Sequence, residues 1–143
     1  TEVGRPSVLA RLAEALAKLG QAEEGLILLA EAVEAAGTRE ERGYEAQIHR
    51  INGELLLAAG GDGSSADAQA EAERCFHRAI EVARRQEARS YELRAATSLS
   101  RLWQRQGKRD EARELLAPVY GWFTEGFETA DLKEARALLD RLS

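Results

Sequence analysis

Between Ser90 and Phe127 the chain carries a pattern that only a helical hairpin satisfies. Leu93, Ala96, Leu99, Ser100 and Trp103 recur at intervals of three and four residues, the spacing that puts side chains on one face of a helix. Gly107 follows where the helix must stop, because the left-handed capping conformation costs least without a Cβ. Ala112, Leu115, Leu116 and Val119 then restart the same spacing. Two amphipathic helices joined by so short a turn bury their stripes against each other. Leu19-Gly20 marks an earlier turn of the same kind. The expected fold is therefore all-α and built from repeated hairpins.

Composition agrees. Ala, Glu, Leu and Arg dominate, all strong helix formers, and Pro6 and Pro118 are the only prolines among 143 residues. A chain of this length buries roughly two-thirds of its unfolded surface. Cys75 is the single cysteine, which rules out an internal disulfide and a thiolate zinc cage and fits a reducing, cytoplasmic setting. No apolar run is long enough to span a bilayer, so no membrane partner is expected. The chain begins at Thr1 and contains no methionine, which predicts a fragment cut from a larger protein.

Taken in order, Pro6 suits the first turn of a helix that continues through Val8, Leu9, Leu12, Ala13, Leu16 and Leu19 to Gly20. A second helix is predicted over 22–36, burying Leu26, Leu29, Ala30 and Val33, with Gly37 closing it. Thr38 and Glu41 have the spacing of a capping box, opening a third helix that reaches Ala59 through Tyr44, Ile48, Ile51, Leu55 and Leu56. Gly60–Ser65 is a loop by composition, and Ser65 is the expected N-cap of a fourth helix carrying Ala72, Phe76, Ala79, Ile80 and Ala83. Pro118 falls inside helix six, where a kink is expected. Thr129 opens a last helix with Leu132, Ala135, Leu138, Leu139 and Leu142 inward, and Lys133, Glu134, Arg136, Asp140 and Arg141 outward. Hairpins are thus expected at about 6–37, 38–88 and 89–124, with a capping helix at 129–142.

The second helices of the hairpins share a small–large–small pattern: Gly25, Leu29 and Ala32; Ala72, Phe76 and Ala79; Ala112, Leu116 and Val119. Small residues let helices approach and the large one fills the space between them. With the turns at Leu19-Gly20 and Gln106-Gly107, these triplets resemble the tetratricopeptide repeat. The chain differs from that family's pattern in lacking an opening Trp and closing prolines, in having Gly25 for alanine, and in its inserted glycine-serine loop. The segments Glu54–Leu57, Phe76–Gln86, Leu93–Trp103 and Leu115–Phe127 further resemble the C-terminal repeat regions of large bacterial signalling proteins, in which a cyclase, kinase or regulator domain precedes an ATPase module. The resemblance implies an α–α superhelix of three hairpins plus a cap, acting as a non-catalytic protein-interaction and regulatory module. The alternative it implies is a sensor arm that binds a small ligand or the neighbouring ATPase module in cis.

Charge locates a candidate site. Residues 74–109 carry ten basic against three acidic side chains, whereas residues 1–73 sum to −8 and residues 110–143 to −4. A basic middle between acidic ends points either to an acidic partner or to one end of the chain pairing with the middle. Arg94, Thr97, Arg101, Gln104 and Arg105 share the helix face opposite the apolar stripe, the face that lines the concave groove in tetratricopeptide proteins. By the same register Ser7, Glu14 and Lys18 line it in the first hairpin and His49 in the second. Guanidinium groups take carboxylates in bidentate fashion, so an acidic peptide or protein segment is the expected guest. The alternative is a solvated face balanced by Glu81, Glu87, Glu92 and the acidic N-terminal half.

Other features carry less. Tyr120, Trp122, Phe123 and Phe127 form an aromatic knot expected to be the core that joins helix six to the cap, the alternative being a docking surface. Gly60–Gly63 lacks the preceding strand and following lysine of a phosphate loop. His49 and His77 are expected to be exposed or capped histidines rather than metal ligands, and Cys75 is expected to be a partly buried, inert thiol. No catalytic constellation, metal set or cofactor motif is recognisable. Nucleic acid is disfavoured by the overall acidity, and self-association is expected, if anywhere, through the N-terminal hairpin.

Overall fold

The computed structural model describes residues 6–35, 44–59 and 65–143, with side chains from residue 9 to residue 32 in the first of these segments. The capping box at Thr38–Glu41, the closing Gly37, the loop Gly60–Gly63 and the side chains of Ser7, Val8 and Val33 lie outside the described residues. Among those described there are seven helices and no strand: α1 (Pro6–Lys18), α2 (Ala22–Ala35), α3 (Glu45–Ala59), α4 (Ala66–Arg85), α5 (Arg89–Arg105), α6 (Arg109–Gly121) and α7 (Ala130–Leu142).

Three turns share one geometry. Gly20 and Gly107 have φ near +80°, and the amide after each bonds back to a carbonyl five residues earlier: Gln21 to Leu16 and Lys108 to Trp103, both at 2.8 Å. That is the left-handed cap expected of glycine. The α4–α5 turn makes the same bond, Ala88 to Ala83 at 2.8 Å, but with Glu87 in the left-handed position at φ 54°. Side-chain caps start α4 and α7. Ser65 Oγ accepts from the Ala68 amide at 3.1 Å and Thr129 Oγ1 from the Leu132 amide at 3.5 Å.

Packing follows chain order. α1 packs on α2, α3 on α4 and α5 on α6, and each even helix also touches the odd helix after it. The odd helices contact one another in succession, α1 to α3 to α5 to α7, so they form one continuous wall. All nine residues of the three small–large–small triplets are buried. Phe76, wholly buried in α4, explains one glycine in the facing helix: a Cβ on Gly53 would stand 2.5 Å from the Phe76 ring. Gly25 is explained likewise, since a Cβ there would meet the Ala13 carbonyl oxygen at 2.7 Å and Leu55 at 2.9 Å.

Two expectations of burial are corrected. Ala30 is exposed and Leu26 only half-buried, because Ala22, Gly25, Leu29 and Ala32 take the inward face of α2. Leu12 and Leu19, on the stripe of α1, are 46% and 75% exposed. α6 runs through Pro118 to Gly121 before it ends. No described helix is long and apolar enough to cross a membrane.

Candidate functional site

The wall of odd helices carries a cavity of about 510 Å³. α1 contributes Glu14, Ala17 and Lys18; α3 contributes Arg50, Glu54 and Ala58; α5 contributes Arg94, Thr97, Ser98 and Arg101; α7 contributes Asp131 and Glu134. On each helix these positions recur at three, four or seven residues, so one face of each helix supplies them. Small residues (Ala17, Ala58, Thr97 and Ser98) leave room between the charged ones. Thr97 is buried and its hydroxyl donates to the Leu93 carbonyl at 2.7 Å, which binds the hydroxyl to its own helix.

Ion pairs span the groove from helix to helix. Arg50 bonds Glu14 at 3.1 Å, joining α3 to α1. Arg94 Nε donates to Asp131 Oδ2 at 2.7 Å, and Arg101 donates to Glu134 Oε2 at 2.8 Å, joining α5 to α7. Burial works against the charge on Arg94, but the hydrogen bond and charge of Asp131 outweigh it and hold the guanidinium above its ordinary pKa. The lining is charge-balanced, with four basic side chains (Lys18, Arg50, Arg94 and Arg101) facing four acidic ones (Glu14, Glu54, Asp131 and Glu134). Of the two origins that the uneven charge allowed, pairing within the chain is therefore realised: the acidic C-terminal segment supplies α7 carboxylates to the basic middle. Lys18 and Glu54 have no ion pair among the described residues.

Arg94, Thr97 and Arg101 thus stand together in the groove, as do Glu14 and Lys18. Gln104 and Arg105 lie further along α5, outside the lining. His49 is turned away from the groove. Its Nε2 lies 3.7 Å from Glu45, and its pKa is lowered by burial and by the charge of Arg78 on α4. The groove position on α3 belongs to its neighbour Arg50, because one residue turns a helix by about 100°. A register centred on His49 therefore misses Arg50 and Glu54. Their spacing to Ala58 was the available signal, a charged stripe at i, i+4 ending in a small residue.

The aromatic knot divides. Tyr120 and Phe123 pack on the main core, whereas Trp122 is 54% exposed and Phe127 partly so, with the Arg89 guanidinium 4.8 Å from the centre of the Trp122 ring. That is cation–π geometry, and it corrects the expectation that the knot is core. Cys75 is half-buried and accepts from Asn52 Nδ2 at 3.4 Å; burial, helped by the nearby charge of Glu71, pushes its thiol pKa up, which suppresses the reactive thiolate. Among the described residues no group of three His, Cys, Asp or Glu side chains converges to hold a metal ion. No family model, curated protein or solved structure matches this chain.

Proposed function

We propose that this chain is a non-catalytic protein-interaction and regulatory module, and that its groove receives an acidic segment of a partner protein or of its own parent polypeptide. The fold proposed with it is a tetratricopeptide-like superhelix of three hairpins and a cap. Support for that fold comes from the burial of all nine triplet residues and from the succession of odd helices along one wall.

One observation carries the functional reading. Arg94 and Arg101 stand two helical turns apart in an open groove, each with more than a third of its side chain in solvent (37% and 39%). Guanidinium groups so placed are desolvated enough to be directional and free enough to change partner. Ala17, Ala58 and Ser98 supply the width that a polypeptide segment needs.

The test is a fluorescence titration with a labelled Glu- and Asp-rich peptide. Arg94→Glu with Arg101→Glu is expected to weaken binding at least tenfold, whereas Arg105→Glu, outside the groove, is expected to leave it unchanged. Equal affinity across all three proteins would refute the reading.

A further inference from the structure

The two pairs between α5 and α7 say something about the guest. Resting on the groove reading above, we propose that the acidic partner presents two carboxylates one helical turn apart, and that Asp131 and Glu134 are a resident competitor for the same two arginines. Asp131 and Glu134 are three residues apart, so they project from adjacent turns of one face of α7. They reach Arg94 and Arg101 at 2.7 and 2.8 Å, and all four side chains line the same cavity. The chain therefore contains a worked example of what its arginine face accepts.

The pairs are built to be exchanged. None of the four side chains is fully buried, and the carboxylates regain water readily when released: Asp131 is 30% and Glu134 is 59% exposed. Half-exposed pairs of this kind are weak and salt-sensitive. α7 does not depend on them for its position, because Leu132, Ala135, Leu138 and Leu142 anchor it in the main core. An incoming carboxylate pair can take the guanidiniums by a swing of two long side chains while the cap helix stays docked. Affinity is then set by a contest between two similar sets of carboxylates, and removing the resident set strengthens the guest.

The experiment uses the full chain and two fluorescein-labelled, Ala-based helical peptides. One carries Asp and Glu three residues apart, and its isomer carries them two apart, on opposite faces. Asp131→Asn with Glu134→Gln is expected to bind the first peptide about tenfold more tightly than the unmodified chain, from two half-exposed pairs acting together. The same variant is expected to prefer that peptide to its isomer, and adding Arg94→Gln and Arg101→Gln is expected to abolish the gain. Glu134→Gln alone, at an exposed position within the helix, keeps the test open if the Asp131 change disturbs the start of α7; it is expected to give about a threefold gain. Arginine-dependent binding that is equal in the unmodified chain and in both carboxylate variants overturns the competitor while leaving the groove reading intact. Absence of binding in every protein, the double amide variant included, overturns both.

Discussion

Leu12 and Leu16 of α1, with Leu19 just past its end, stand 87 residues before Leu99 and Trp103 of α5, with Gln106 just past its end, at the same distances from Gly20 and Gly107 respectively. The two stripes have opposite fates. On α5, Leu99 is wholly buried, Trp103 Nε1 donates to Glu73 at 2.9 Å and Gln106 donates to Gln69 at 3.0 Å, so α4 covers the stripe. On α1 no described helix precedes, and Leu12 and Leu19 meet solvent. Helical spacing creates a sticky face but not its occupant. Burial is conferred by the neighbouring hairpin, and the energetics of two equivalent leucines should diverge accordingly.

Substitutions in the helices and at their turns measure that divergence. Phe76→Ala, at the centre of the α3–α4–α5 packing, is expected to cost about 3–5 kcal/mol in chemical denaturation, through lost burial and a residual cavity. Leu99→Ala should cost about 2–5 kcal/mol, and the equivalent Leu12→Ala less than about 1 kcal/mol, since Leu12 leaves no cavity when truncated. Equal costs at the two positions would show that something covers α1 in solution. The turns give a finer contrast. Gly107→Ala is expected to destabilise by about 1 kcal/mol, while Glu87→Gly, relieving a non-glycine residue in the same left-handed conformation, should stabilise by up to about 1 kcal/mol.

The smallest effect concerns pH. Burial and Arg78 lower the pKa of His49 in the folded protein, so below about pH 6.5 the unfolded chain binds more protons than the folded one. Stability is then full above the unfolded histidine pKa and falls as pH drops through the folded one. His49→Gln is expected to remove that component, leaving a shallower loss of stability between pH 6.5 and 5 by thermal unfolding. An unchanged slope would place His49 in water.

Much of the fold was legible locally. The ends of α1 and α5 follow from Gly20 and Gly107, the start of α4 from Ser65 and that of α7 from Thr129, because caps and turns are satisfied by residues within a few positions of one another. The α4–α5 turn carried no such mark, since Glu87 adopts a backbone conformation that its side chain does not advertise. In the groove, Arg94, Thr97, Arg101, Glu14 and Lys18 were found by register. On α3 the same register points to His49 where Arg50 stands, one residue off, because both flanks of that helix are partly buried and leave no clean polar face to set the phase.

Local sequence sets the helical character of the described chain, where most described helices begin and end, and which large residues fill the spaces between them, since spacing, capping and side-chain volume act over one or two turns. Long-range packing sets which stripe is covered and which charges meet. Leu12 and Leu99 share a pattern but not a neighbour, and Arg94 and Arg101 meet Asp131 and Glu134 only because α7 packs beside α5. Electrostatic pairing and burial depend on distances of a few ångströms between segments more than thirty residues apart in the chain, and only the packing of one helix on another sets those distances.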